Sequence, residues 1–180
     1  MYPQSLENVP VWDDRTWRTL APQNSDLSAE VCVIGLGGSG LTAISELLDL
    51  GRRVVGIDAD DVAAGAAGRN GGGRDKAFDE EWTTANEPTA FIQQYLESVL
   101  RKQLHVTAPI THRSAADVSY RLNGLPVLAE LRPGTWVIGG YCGTGNAVGA
   151  LCGRAAPRLA SGDSSEFARL LVNAGTPETH

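Results

Sequence analysis

Between positions 30 and 58 the apolar residues pass from a continuous run to helical spacing and back again. EVCVIG, residues 30–35, is a short β-branched run ending in glycine, the pattern of a strand buried in a parallel sheet. From Ser39 to Leu50, the residues Leu41, Ile44, Leu47 and Leu48 recur on one helical face, and Gly51 follows as a natural C-terminal stop. RVVGID, residues 53–58, predicts a second strand, so the stretch reads as a β-α-β unit.

Periodicity then lapses. VAAGAAGRNGGGR, residues 62–74, holds five glycines and predicts a loop, because ordering so many glycines into a regular element costs too much backbone entropy. Asn86 offers an N-cap, Pro88 sits in the first turn, and Ile92, Tyr95, Leu96, Val99 and Leu100 predict an amphipathic helix running to about Gln103. Residues 107–131 predict a small antiparallel excursion turning at Asn123-Gly124. TWVIG, residues 135–139, predicts a third buried strand; the glycine turn GGYCGTG and a helix over 146–160 follow, with one or two helical turns over 166–173. Residues 1–29 form an irregular arm anchored by Trp12 and Trp17, residues 30–162 one domain and residues 163–180 a tail.

Composition narrows the classes. A chain of 180 residues supports one core, and its 21 glycines point to turns and close backbone approaches. A net charge of -6 argues against nucleic acid, whose phosphates need a basic face. The first 30 residues lack the apolar run of a secretory signal, and no later segment is apolar enough to span a membrane. Cys32, Cys142 and Cys152 have no C-x-x-C spacing and read as packing residues in a reducing compartment, so a cytoplasmic protein is expected. His105, His112 and His180 lack zinc-ligand spacing, so no metal is expected; Arg113 and Arg121 are candidates for a substrate carboxylate or, as readily, surface arginines.

The first glycine cluster carries the chemistry. Gly35, Gly37 and Gly40 supply G-x-G-x-x-G at a strand-to-helix turn: the first allows the tight turn, the second lets a pyrophosphate reach the backbone, and the third lets helix meet strand. Phosphates would sit on the helix N-terminus, where unpaired N–H groups and the dipole attract anions. Asp58, ending the second strand, is placed to accept hydrogen bonds from a ribose. Asp58, Asp60 and Asp61 disfavour the 2′-phosphate of NADP by like charge, which leaves NAD and FAD both open.

Residues 30–74, with GLGGSG, Asp58 and GAAGRNGGG, resemble the N-terminal part of the D-amino-acid-oxidase-like FAD-dependent oxidoreductases, a family that includes glycine, sarcosine and γ-glutamylputrescine oxidases. Residues 117–160, with NGLPVLAEL and TWVIGGYCGTGN, are similar to that family's C-terminal FAD segment. The resemblance implies an α/β, Rossmann-like FAD-binding domain with a parallel sheet core, from which the substrate domain usually found between the two segments is missing. It implies that Gly35, Gly37, Gly38, Ser39 and Gly40 hold the pyrophosphate and that Asp58, with Ala59, holds the adenosine ribose. Arg69, Asn70, Gly71 and Gly72 would lie toward the flavin; Gly140 would open a turn whose Gly143, Thr144, Gly145 and Asn146 offer N–H groups to the flavin's pyrimidine edge. Cys142, where the family often has serine, would put a thiol near the ring. The expected function is a minimal, redox-active FAD flavoprotein; the alternatives are an FAD carrier or storage subunit, or an amine or amino-acid oxidase whose site is completed across a homodimer. A homodimer covering the exposed flavin face and a redox partner protein are the expected partners.

Overall fold

The computed structural model describes residues 10, 16, 20–69, 90–111, 114, 116–163, 168–170 and 172. In chain order its elements are β1 (Val31–Ile34), α1 (Gly38–Asp49), β2 (Val54–Ile57), α2 (Ala66–Arg69), α3 (Ala90–Ser98), β3 (Val127–Arg132), β4 (Thr135–Gly139) and α4 (Ala150–Ala160). Two compact units result, Leu20–Lys76 with Val118–His180 and Met1–Thr19 with Ala77–Asp117. Both glycine turns and Asp58 belong to the first. The architecture is mixed α/β: β1 and β2 make a parallel pair, β3 and β4 an antiparallel pair.

The β-α-β unit forms as its periodicity predicts. Val31 through Ile34 pair in parallel with Val54 through Ile57, and Gly51, at φ +72°, stops α1. Helix α1 lies on one face of the pair, and Gly56 makes room for it: a Cβ there would come within 2.7 Å of Ile44 Cδ1 and Leu36 Cδ2. Leu36, Ala43 and Leu47 are buried in this layer. The alternation that turns Val31 and Val33 inward leaves Cys32 and Ile34 on the opposite face, where Ile34 is 81% exposed.

Helix α4 joins the two halves of this unit. On one side it crosses α1 so closely that a Cβ on Gly153 would collide with the Ser39 carbonyl oxygen and press on Thr42 and Ala43. The buried Glu46 of α1 is paired with Arg158 of α4 at 2.6 Å, and Arg158 also reaches Asp163 at 3.4 Å. On its other side Ala155 and Ala156 form a core with Leu128 and Ala168, against which Trp136, Ile138, Leu159 and Val172 pack. Small residues on α4 let both neighbours approach.

Several expectations need correction. TWVIG is a half-buried strand paired antiparallel to β3, so the parallel sheet core is two strands among the described residues. Residues 122–124 do turn, with the Gly124 N–H donating to the Arg121 carbonyl at 3.0 Å, but the hairpin closes at Pro133-Gly134. There Gly134, at φ +78°, takes the left-handed conformation that suits glycine directly after the proline of a Pro-Gly turn, and its N–H donates to Glu130 Oε1 at 2.9 Å. The 62–74 loop contains the short helix α2, because Ala63, at φ +60°, turns the chain and accepts the Gly68 N–H at 3.0 Å. Cys32 is exposed rather than packed, since nothing described covers its face of the strand pair.

The second unit contains α3, which continues as a π-helical turn over Val99–Gln103. Arg101 closes it by donating to the Val106 and Ala108 carbonyls at 2.7 Å each. Of the apolar stripe, Val99 and Leu100 are half-buried, while Ile92, Tyr95 and Leu96 stay exposed. Asn86, Pro88, Trp12 and Trp17 lie outside the described residues.

Burial of Cys152, at 0% exposure in α4, pushes its thiol up from an ordinary 9.0 to about 11. The neutral thiol therefore stabilises the fold fully below about pH 9, and that contribution is lost as pH rises through about 11. By linkage the loss is about 2 to 3 kcal/mol. Urea unfolding at pH 8 and pH 11 is expected to show a smaller alkaline loss for Cys152→Ala than for the unsubstituted chain; equal losses would disprove it.

Candidate functional site

The first glycine turn runs from β1 into α1. Gly35, at φ +93°, adopts a conformation open to glycine, and its N–H donates to the Ile57 carbonyl at 2.8 Å. Gly37 caps α1 with extended backbone and no side-chain hydrogen bond, and the Leu41 N–H is bonded back to the Gly37 carbonyl at 2.9 Å. The N–H groups of Gly38, Ser39 and Gly40 precede that bond and have no acceptor along the helix. They leave partial positive charge at the turn. Gly40 is the contact between helix and strand: a Cβ would strike the Gly35 carbonyl oxygen and lie 3.6 Å from Val33.

Asp58, directly after β2, is locked to this turn. Its Oδ2 accepts the Leu36 N–H and its Oδ1 the Asp60 N–H at 3.2 Å. Those bonds, led by that from Leu36, hold its carboxyl below the ordinary value, with a smaller opposing effect of burial. The Leu36 carbonyl accepts the Ala63 N–H at 3.1 Å, so the residues after β2 clip onto both sides of Leu36. The carboxylate remains exposed, and each of its oxygens has a further lone pair for a hydroxyl. Ala59 is exposed beside it.

The second turn, Gly140 to Gly145, is tightly wound. Gly140, Cys142 and Gly143 have φ of +62°, +50° and +78°. The Cys142 N–H donates to the Ser119 carbonyl at 3.2 Å, and Cys142 Sγ accepts the Arg121 N–H at 3.2 Å. A Cβ on Gly143 would sit 3.2 Å from the Tyr120 hydroxyl, and one on Gly140 3.2 Å from Arg121 Cδ. Residues 119–121 therefore brace this turn from outside. The Thr144 N–H and Oγ1 both donate to the Tyr141 carbonyl, at 2.9 and 2.6 Å, so that N–H is already used within the turn. The chain then makes a π-helical turn over Gly145–Gly149, with Asn146 exposed on it, and enters α4.

The two turns meet where α4 crosses α1. Gly153 abuts Ser39 there, and the ring of Tyr141 lies against Gly145 and Gly149, whose Cβ positions are each 3.5 Å from it. The Tyr141 hydroxyl oxygen is buried with no hydrogen-bond partner among the described residues. Burial pushes its pKa up, and Ser39 opposes that shift. Gly35, Gly37, Gly38, Ser39, Gly40 and Asp58 thus form one cluster, with Tyr141 reaching it from the second turn.

Other candidates stand apart. Arg69 Nε donates to the Ala64 carbonyl at 3.1 Å, which ties the side chain to its own loop. Asn70, Gly71 and Gly72 lie outside the described residues, as do His112, Arg113 and His180. Arg121 donates to the Leu125 and Pro126 carbonyls at 3.3 and 3.2 Å, which braces the segment before β3. No metal-holding group of His, Cys, Asp and Glu occurs among the described residues, and no described helix is long and apolar enough to cross a membrane. Pattern reading missed Leu36, Ala63, Tyr141 and Gly153; only Gly153, a glycine within a helical run, gave a signal of close approach.

The chain is similar to a protein of Haemophilus influenzae named "Probable oxidoreductase OrdL", with 44% identity over 77 residues. That is a redox name for the relative. The match spans 43% of this chain and 16% of the relative's length. No family model matches the chain, and no solved structure matches it.

Proposed function

We propose that the chain is an FAD-binding, redox-active flavoprotein module with a Rossmann-like cofactor site at the first glycine turn. The observation that carries this is the cluster at the start of α1: an uncapped helix N-terminus, an open backbone at Gly37, and the Asp58 carboxylate locked beside it by Leu36. Its donor set suits a pyrophosphate flanked by a ribose. The resemblance of GAAGRNGGG and GGYCGTGN to FAD segments favours FAD over NAD, and the partial similarity to a protein named as an oxidoreductase fits a redox role.

In this assignment the N–H groups of Gly38, Ser39 and Gly40 hold the pyrophosphate, Gly37 admits it to the backbone, and Asp58 accepts the ribose hydroxyls. Gly143, Gly145 and Asn146 are the residues of the second turn that would lie toward the ring, Thr144 being engaged with Tyr141. Bound FAD would supply the electron acceptor, and the protein the positioning.

The test is titration of ligand-free chain with FAD, followed by flavin fluorescence, with NAD as competitor. Saturable FAD uptake is expected, weakened by about 1 to 3 kcal/mol in Asp58→Asn through loss of charge-assisted hydrogen bonds. Thermal unfolding of the ligand-free variant, run in parallel, separates that loss from loosening of the Leu36 turn. A chain that binds NAD and takes up no FAD would sink the proposal.

A further inference from the structure

We infer that Cys142 and Arg121 are positioning residues for the second glycine turn: they fasten residues 119–126 to residues 140–143 past the end of the β3–β4 ladder, and so hold the turn in the shape that receives the flavin end of the cofactor. This role rests on the FAD assignment above and belongs to two residues that act through the backbone of the turn.

The ladder closes with Val127 opposite Gly139, and beyond that pair the described strands end. Side chains take over there. Cys142 Sγ accepts the Arg121 N–H at 3.2 Å and donates to the Gly140 carbonyl at 3.3 Å, while the Cys142 N–H donates to the Ser119 carbonyl at 3.2 Å. The stem of Arg121 lies over Gly140, whose Cβ position is 3.2 Å from Arg121 Cδ and 3.3 Å from Cγ. Its guanidinium holds the Leu125 and Pro126 carbonyls just before β3. Arg121 therefore touches both the turn and the segment that leads into the hairpin.

The backbone of Cys142 makes its thiol informative. At φ +50°, between Gly140 at +62° and Gly143 at +78°, glycine is the unstrained choice and a Cβ carries a cost. A side chain persists in that region where its surroundings over-determine it. Here the surroundings are the two bonds of the thiol and the bond to Ser119. Two of these three reach the other segment, so they fix where the turn sits against residues 119–121 as well as its own path. In the FAD assignment the first turn holds the pyrophosphate and the second faces the ring, so the pair acts on one end of the cofactor.

The experiment uses the full chain with Cys142→Gly, Cys142→Ser and Arg121→Met, titrated with FAD and with ADP, which in that assignment reaches the first turn alone, and records the visible spectrum of bound FAD. Cys142→Gly is expected to weaken FAD about tenfold, the worth of about one net hydrogen bond, and to shift the flavin absorption bands, with ADP affinity unchanged. Cys142→Ser is expected to bring FAD affinity back to within about twofold, because a hydroxyl also accepts one bond and donates another. Arg121→Met keeps a stem over Gly140 and loses the guanidinium, and is expected to weaken FAD about threefold with ADP again unchanged. A purely structural role would weaken ADP together with FAD, and that result overturns the inference. So does a Cys142→Gly chain that binds FAD with unaltered affinity and spectrum, or a Cys142→Ser chain that binds it as poorly as Cys142→Gly. Should Cys142→Gly not fold, unchanged FAD affinity in Arg121→Met has the same force. An unsubstituted chain that takes up no FAD defeats the assignment, and the inference with it.

Discussion

Gly40→Ala is expected to destabilise the fold by about 3 kcal/mol, at the upper end of the usual overpacking cost. The added methyl group would land on the Gly35 carbonyl oxygen, a backbone atom that no rotamer change can move aside. Gly35 has little room to yield, being held at φ +93° with its N–H bonded to Ile57. Relief requires α1 to lift from β1. That would disturb the seat of Ile44 on Gly56 and the crossing with Gly153, and with them the layer that buries Ala43 and Leu47. Gly38→Ala is the control, because its Cβ position is open and alanine suits the first turn of a helix better than glycine. Urea unfolding of both variants decides the matter. Equal midpoints for Gly40→Ala and the unsubstituted chain would show that the contact between helix and strand is not what holds this layer.

Gly37→Val is expected to do the reverse, sparing the fold and removing the ligand. Gly37 has φ -77° and ψ -172°, extended backbone that valine adopts readily, and the nearest atom to a Cβ there is Ala67 Cβ at an ordinary 3.7 Å. Stability should therefore change by no more than about 1 kcal/mol, the usual cost of losing a favourable N-cap residue. In the FAD assignment, however, a side chain at this position stands between the pyrophosphate and the backbone. The expected loss of FAD affinity is about 100-fold or more, about 2.7 kcal/mol. Unfolding and FAD titration on the same preparation test both halves. A folded Gly37→Val chain that binds FAD normally would show that the pyrophosphate, if bound, lies elsewhere.

The fingerprint spacing assigned these two glycines different roles, but not the atoms that a side chain at each would meet, and there pattern reading stops. Helix α1 and its flanking strands were legible because hydrophobic period and glycine stops are local properties. Asp58 was legible as a carboxylate at a strand end, but its bond to Leu36 was not, since no pattern in GLGGSG marks residue 36 as its donor. Pro133-Gly134 was open to recognition as a turn, yet Asn123-Gly124 offered an equally strong local signal. Both turn, and only one closes a hairpin.

The pairing of β4 was decided elsewhere. TWVIG has the apolar run of a buried parallel strand, but a two-residue loop returns the chain directly alongside β3, and a parallel crossover needs a much longer connection. The exposure of Cys32 likewise depends on how many layers cover β1, which no property of VCVI encodes. By itself the chain's sequence determined the local backbone demands: a strand-turn-helix at residues 31–49, an acid at the end of the next strand, and glycine conformations in both turns. The tertiary structure alone decided which surfaces meet, bringing Gly153 onto Ser39 and Tyr141 beside it. Such choices follow from the summed fit and burial of surfaces far apart in the chain, where one methyl group at a crossing decides whether two helices can touch.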